Sequence, residues 1–544
     1  MKRPSRVLIS TTLILTILLT GCQSTGGNDK NTDTKSNIKV EKEGFPIVKE
    51  PIKMTMMAPG AGIQDWNNMQ TIQEYEKKTN VDLEITTPPM SDFATKLNLA
   101  FASEDLPDVI YAAGGDLTSA MQIDYGSQGT LLPLEDLIDE YAPNLKKLMD
   151  ENPDIRKNIT TPDGHIYTLP FITEEDTAIW PISPLWYNGE WLKALNVTEL
   201  PKTADEFYEL LVRFRDEDPN GNGKKDEIPI SDIKLTWARP WFMSIFGMKE
   251  LGIEENDGKV RYTPVTDEYR AYLEYMAKLY EEKLLDSELY SQSSDQKASK
   301  VQNNMVGVYQ SWYSYLESGK TEQEALDYPM WHPLTSEYST EAMVPGSPKM
   351  GRGTFAITKK CPSPEAAIRW VDYFYSDEGY EFLNQGPEGA LWEYAENDKG
   401  EKVKVYKDGI DLAKAEDERG KVSPDYAITT PALRKTLPAV KVDKNDGENE
   451  FQQFIKKETE EKIATYSEVP FPLVYLTKEE QDKVAANSAD LKIYVEQMEA
   501  KFITGIEKID DASWEKYKKT IESMGLKEYV DVYQAAYDRW EKAE

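Results

Sequence analysis

Histidine, cysteine and positive charge are all scarce in this 544-residue chain. The two histidines, His165 and His332, leave little material for a histidine-rich metal centre or a histidine-based catalytic triad, which need such rings to converge on one point. They read as structural residues. Sixty-three Lys and Arg stand against 96 Asp and Glu, a formal charge of −33. A field of that sign repels phosphate backbones and anionic headgroups, which argues against nucleic-acid binding and polybasic membrane attachment. Beyond the N-terminus there is no uncharged apolar run of the ~20 residues needed to span a bilayer. Aromatic residues are plentiful, with 12 Trp, 31 Tyr and 15 Phe, more than a core requires. Some of these rings are expected at a working surface. The length predicts two or more domains.

The first 21 residues read as an export signal. They begin with Lys2, Arg3 and Arg6, run apolar from Val7 to Leu19, and end in Thr20-Gly21 before Cys22. The segment resembles the lipobox of bacterial lipoproteins, which implies cleavage before Cys22 and a diacylglycerol on its thiol, a palmitate-type anchor. Removing residues 1–21 takes away three cations and moves the formal charge to −36. Residues 22–44 are expected to be a flexible tether, because Gln23 to Ile38 offers almost no apolar surface to offset chain entropy. With Cys22 lipidated, Cys361 lacks a partner for an intramolecular disulfide. Stability then rests on burial.

Farther along, Ile52, Met54 and Met56 alternate, a helical stretch surrounds Ile72 and Tyr75, and Val81, Leu83 and Ile85 alternate again. Leu106 to Tyr111 reads as a buried strand, so the first hundred ordered residues are α/β. Thr203 and Glu206 have the spacing of a capping box ahead of an apolar face of Phe207, Leu210, Leu211 and Phe214. Met305 to Tyr309 and Thr354 to Thr358 read as short strands. Ser363-Pro364 predicts an N-cap and a proline at the first helical position, with Ala367, Trp370, Val371 and Phe374 as the buried stripe. A further helix begins at Ser376, and Val403 to Tyr406 belongs to a charged hairpin.

The sharpest internal motif runs from Asp218 to Glu227. Asp218, Asn220, Asn222, Asp226 and Glu227, with the Lys224 carbonyl, can converge oxygens on one hard cation, and Gly223 permits the tight turn. The expected cofactor is a structural Ca2+. Pro229 occupies the twelfth position, where a helix-loop-helix calcium site has a bidentate Glu, so Asp226 and Glu227 must close the shell. Two other motifs fail. Gly319-Lys320-Thr321 lacks the first glycine of a phosphate loop, having Ser314 there. Gly351 to Ala356 matches a dinucleotide fingerprint loosely but continues as a strand where a helix must start. The many carboxylates make some close acidic pair inevitable, yet no local signature marks a glycosidase.

Residues 185–230, LWYNGEWLKALNVTELPKTADEFYELLVRFRDEDPNGNGKKDEIPI, resemble the family 1 extracellular solute-binding proteins of ABC importers. The likeness is greatest to lipoproteins that bind oligosaccharides and carry a calcium loop, the alginate-oligosaccharide binders among them. Residues 106–110 (LPDVI), 163–170 (DGHIYTLP), 305–316 (MVGVYQSWYSYL) and 361–394 agree in order. The resemblance implies an α/β, two-lobe periplasmic-binding-protein fold with an interlobe ligand cleft and several crossing strands. Matching positions put the first lobe at 45–175 and 353–400. The second lobe takes 176–352, with the calcium loop at 218–227, and most of 401–544 with the C-terminal helices. Crossings are expected after Pro170, near Gly353 and after about Tyr394.

The same resemblance implies that the chain is no enzyme but captures an oligosaccharide and passes it to ABC permease subunits. It would act as a monomer on the extracellular face of the bacterial cytoplasmic membrane. A peptide or other small solute, or a surface glycosidase activity, are the alternatives. Sugar rings have flat C–H faces that stack on indole and phenol, while their hydroxyls need paired donors and acceptors. Trp312 matches the family's stacking position and Trp392 follows, with Glu388 as a hydroxyl acceptor. Trp66, Tyr111, Trp237 and Trp241 are further ligand contacts from loop positions, and Arg239 and Arg352 are placed to hold a carboxylate if the sugar is a uronate.

Overall fold

The computed structural model describes residues 38–447 and 449–543. The signal, Cys22 and most of the expected tether lie outside the described residues. In chain order the strands that position the site are β1 (Ile52–Met57), β2 (Val81–Thr86), β3 (Val109–Tyr111), β4 (Leu169–Thr173), β5 (Leu185–Tyr187), β6 (Ile228–Ser231), β7 (Val306–Gln310), β8 (Met350–Ile357), β9 (Trp392–Glu396), β10 (Lys402–Tyr406) and β11 (Leu433–Arg434). The helices used below are α1 (Gln70–Thr79), α2 (Pro143–Glu151), α3 (Ala204–Asp216), α4 (Arg239–Ser244), α5 (Pro364–Asp372), α6 (Asp377–Gln385), α7 (Ala415–Val422), α8 (Glu450–Thr459), α9 (Lys478–Ile503) and α10 (Leu526–Glu541).

Local rules account for most of these elements. Met54 and Met56 bury one face of β1 while Lys53 and Thr55 face water, the period-2 pattern of a strand. Thr203 caps α3 by accepting the Glu206 N–H, and Phe207, Leu210, Leu211 and Phe214 are buried as the pattern predicts. The expected box closes differently, because the Glu206 carboxylate takes the Lys202 N–H at 2.8 Å. Pro364 opens α5, but Ser363 makes no capping bond and its hydroxyl is buried without a hydrogen-bond partner among the described residues. Asp372 supplies acceptors for another helix, taking the Asn144 and Leu145 N–H groups at the start of α2 at 3.2 and 2.9 Å. The histidines bond locally, His165 Nδ1 to Glu135 Oε1 at 2.6 Å and His332 Nδ1 to the Pro333 carbonyl at 2.7 Å.

Two sheets nucleate two lobes. The first has the order β11-β4-β8-β3-β1-β2 and the second the order β5-β7-β6. Alternation along β3 and β8 sends Tyr111, Phe355 and Ile357 into one core of the first lobe and Ile110 and Ala356 into another on the opposite face. The second lobe's core gathers six tryptophans, among them Trp186, Trp241 and Trp331. Buried side chains on that scale, each worth about 1.5–3 kcal/mol in water transfer, explain how the fold holds with no disulfide among the described residues.

Strand directions fix how the lobes face. β1, β2 and β3 are parallel. β8 is antiparallel to both β3 and β4, so β4 runs with β3 and ends at the same carboxyl edge. The chain leaves there after Thr173 and enters β5, where Leu185 pairs with Gln310 at the carboxyl end of β7. It returns at Met350, opposite Ile172. It leaves a second time at Arg434, opposite Thr173, in the third crossing. Every crossing joins one carboxyl edge to the other.

The third crossing lies later than the expected position near Tyr394. β9 and β10 pair, with Trp392 opposite Tyr406, and Ile428, Ala432 and Leu433 belong to the first lobe's core. Residues 401–434 therefore stay with the first lobe, because a two-residue strand, β11, completes its sheet. The C-terminal part touches both lobes. Leu491, Val495 and Phe502 of α9 enter the second core, whereas Trp540 of α10 donates to Asn158 Oδ1 of the first lobe at 2.9 Å. No helix among the described residues is long and apolar enough to cross a membrane.

Candidate functional site

In open α/β sheets the crevice outside the carboxyl ends of the strands is where side chains and backbone groups are free to meet a ligand. Here two such edges oppose each other. On the second lobe, β7 ends at Gln310 and the turn beyond it is held by Ser311 Oγ donating to the Tyr313 carbonyl at 2.7 Å. That turn projects Trp312, which is 54% exposed. One face of its indole stacks on Trp180, with centroids 6.5 Å apart and planes at 16°. Trp180 is itself fixed, since its Nε1 donates to Thr459 Oγ1 at 3.1 Å and its ring meets Trp186 edge-on. A rigid indole with one open face results. Trp237, in the loop after β6, is 48% exposed.

Beside Trp312 a chamber of 690 Å³ draws on both lobes. The second lobe contributes Tyr313, Tyr315, Leu316, Phe451 and Gln452, and the first contributes Tyr380, Asn384, Gln385, Leu391, Tyr406 and Arg419. Glu175 and Arg434 line it from the crossings. Tyr313 and Tyr315 stack at 5.9 Å, both edge-on to Phe451. Burial pushes the Tyr315 hydroxyl up to about 12, so it is a neutral donor at any ordinary pH.

The chamber's cations are already engaged. Arg434 lies 3.7 Å from Glu175 and 4.0 Å from Asp425. Burial opposes its charge, but the two carboxylates outweigh that and hold the guanidinium above its ordinary value. Burial likewise raises the Glu175 carboxyl, with Arg434 pulling the other way. The Arg434 Nε, the atom 3.7 Å from Glu175, is buried and makes no hydrogen bond among the described residues. Arg419 pairs with Glu416 at 2.9 Å and reaches the carbonyls of Asn384 and Asp425.

Several residues expected at the ligand serve the packing instead. Trp241 is 1% exposed and donates to the Ser183 carbonyl at 3.1 Å, a core ring of α4. Trp66 and Tyr111 are buried edge-on against each other at 6.0 Å. Trp392 is 5% exposed, with its Nε1 shared between the Gln385 and Gly386 carbonyls and Lys404 4.1 Å over its ring. It shapes the chamber wall through Leu391. Glu388 is exposed on the same loop. Arg239 is locked on Glu499, whose side chain is 1% exposed, with its Nε 3.0 Å from each carboxylate oxygen. Arg352 donates to the carbonyls of Asn158 and Val474 and lies 3.7 Å over Tyr475. It borders a smaller first-lobe pocket of 410 Å³ with Gly114, Gly115 and Phe171.

Tyr313, Tyr315, Phe451, Glu175 and Arg434 were not expected. The tyrosines share the Trp312 segment and carried a readable signal, an aromatic cluster directly after a strand. Arg434 and Phe451 become neighbours of the cleft only through the third crossing.

The sequence profile described as "Bacterial extracellular solute-binding protein" matches residues 66–381. The chain belongs to this family. The solute-binding protein is 30% identical over 560 residues to the fructooligosaccharide ABC transporter substrate-binding protein FusA of Streptococcus pneumoniae serotype 4 (strain ATCC BAA-334 / TIGR4), covering 99% of this chain and 98% of that one. The structure of S. pneumoniae FusA with kestose superposes with a TM-score of 0.70 at 28% identity, over 90% of this chain and 99% of that one. An EF-hand mutant of FusA with fructo-nystose gives 0.70 at 27%, with the same coverage. The alginate-binding protein AlgQ2 without calcium ion shares the fold, with a TM-score of 0.66 at 22% identity over 90% of this chain and 99% of that one.

In the solute-binding protein the loop 218–227 follows α3 and folds on itself. Asp218, at φ 49°, accepts the Asn222 N–H on one carboxylate oxygen and the Gly223 N–H on the other, both at 3.1 Å. Asp226 Oδ1 accepts the side-chain amides of Asn222 and Asn220 at 2.9 and 3.4 Å. Glu227 Oε1 is buried without a partner among the described residues, and burial raises its carboxyl, with Asp218 adding to the effect. Among the described residues no group of three or more His, Cys, Asp and Glu stands in metal-holding geometry. The loop's donor set is instead mixed carboxylate, side-chain amide and carbonyl oxygen, which suits a hard cation.

Proposed function

We propose that this solute-binding protein captures a neutral oligosaccharide outside the cell and hands it to the permease of an ABC importer. The observation that carries the reading is Trp312, a half-exposed indole stacked on Trp180 and next in sequence to Tyr313, which lines the chamber drawn from both lobes. A sugar's C–H face stacks on such a ring, and the tyrosine hydroxyls, Asn384 and Gln452 of the adjoining chamber can pair its hydroxyls. Full-length similarity to a fructooligosaccharide-binding relative supports the same ligand class. A neutral sugar suits the chamber's charges, since Arg419, Arg434 and Lys435 already have carboxylate partners and Arg352 lies outside its lining.

Closure is a population shift. A ligand favours the closed state only by touching both lobes, and the crossings are the segments that bend. The closed form is then the one a permease distinguishes, and lipid on Cys22 keeps the protein beside it. The chain performs no chemistry in this reading. Asp218, Asn220, Asn222, Asp226, Glu227 and the Lys224 carbonyl would hold a structural Ca2+, which would supply positive charge to a loop crowded with oxygens; the orphaned Glu227 oxygen supports that assignment.

Titration calorimetry against fructo-, malto-, xylo- and galacturono-oligosaccharides tests the reading. One-site binding to a neutral series is expected, without new reducing ends after long incubation. Binding only to peptides, or turnover of the bound sugar, would overturn it.

A further inference from the structure

The loop after β6 holds a conformation that needs continuous support. Lys234 and Leu235 are consecutive non-glycine residues with φ of 54° and 55°, a left-handed region that side chains with a Cβ disfavour. The surroundings clamp it. Asp232 Oδ2 accepts the Ala238 N–H at 3.2 Å, and Gln292 Nε2 donates to the Asp232 carbonyl at 2.8 Å. The Lys234 N–H donates to the Leu289 carbonyl at 2.8 Å, and Leu235 is fully buried. Arg239, fixed on buried Glu499, reaches the Lys234 carbonyl at 3.4 Å. What this apparatus displays is an indole, Trp237, 48% exposed. Strain maintained by an over-determined setting marks positions where function has a use for it.

The place of that indole is also informative. β6 and β7 are parallel neighbours with Ser231 opposite Tyr309, so the loops that follow them leave the same edge. One carries Trp237 and the other Trp312. Trp180 precedes β5, on the far side of β7, and lies under Trp312. Trp180, Trp312 and Trp237 thus follow the strand order β5-β7-β6, and the last two have open faces.

We propose that Trp237 is a second stacking position of the cleft, displaced along the second-lobe edge from Trp312, so that the site selects for chain length. A ligand long enough to run past Trp312 gains the second ring, and a disaccharide does not. This rests on the oligosaccharide reading above and adds which chains are preferred.

The test is a length ladder of two to five units in whichever neutral series the wild type binds, titrated into wild type, Trp237→Ala, Trp237→Phe and Trp312→Ala. Trp237→Ala is expected to weaken tetrasaccharide binding about tenfold while changing disaccharide binding less than about twofold, and Trp237→Phe to recover part of the loss. Trp312→Ala weakens every length. In the wild type, acrylamide quenching should show an indole shielded by tetrasaccharide and left open by disaccharide, a difference absent from Trp237→Phe. Equal losses at all lengths, or none, would overturn the proposal while leaving the functional reading intact. If the wild type binds no series, both fail.

Discussion

Trp312 and Trp392 carry the same side chain in opposite surroundings. Trp312 is half exposed and touches Trp180 with one face, so truncation removes a ligand surface and little packing. Trp312→Ala should lose about tenfold or more in affinity by calorimetry, with a melting temperature near that of the wild type. Trp392 fills a wall and bonds two carbonyls. Trp392→Ala should cost about 3–5 kcal/mol in a denaturant titration, and any affinity loss should follow that damage. Arg239→Ala should also cost about 3–5 kcal/mol, because it leaves the Glu499 carboxylate buried and unpaired. A uronate preference lost in that variant without a stability change would contradict the assignment.

The loop 218–227 and the start of α2 each depend on carboxylates, with opposite consequences. If Ca2+ occupies the loop, chelation should lower the melting temperature of the wild type and leave Asp218→Ala unaffected; an unmoved wild type would make the loop a turn only. Asp372 accepts two N–H groups of α2, yet burial raises its carboxyl to about 6. Its folded value lies above the ~3.9 of an unfolded Asp, so the folded state binds its proton more tightly. The contribution of this group is therefore full below about pH 4 and is lost as pH rises to about 6, on the order of 3 kcal/mol. Denaturant titrations of wild type and Asp372→Asn at pH 4 and pH 7 should show that difference in slope, and parallel pH profiles would refute it.

These elements also show where sequence reading succeeds. The alternation of Met54 and Met56, the Pro364 start of α5 and the apolar face of α3 are local patterns, and local physics decides them. Ser363 looked like a cap and is not one, because its hydroxyl is carried into the core.

As one body, the protein is two sheets whose carboxyl edges are tied together by three crossings, and the site exists only because those edges face each other. The family resemblance puts two of the crossings after Pro170 and near Gly353, and the strands there end at Thr173 and begin at Met350. The third was not legible. β11 is two residues long, and the charged hairpin before it gives no apolar signal that the first lobe continues. The fates of the tryptophans were equally hidden. Trp237 and Trp241 are four residues apart, yet one is 48% and the other 1% exposed, because Trp237 lies in the loop before α4 and Trp241 on the buried face of α4 itself. Composition showed that rings were in surplus, and only the fold shows which of them have a free face.

Small-angle scattering of the purified protein, alone and saturated with the neutral oligosaccharide that binds best, bears on capture by closure. The radius of gyration should fall on saturation in the wild type, and Trp312→Ala should need at least about tenfold more sugar for the same change. An unchanged radius at saturation, or an identical dose dependence in Trp312→Ala, would contradict capture between the lobes.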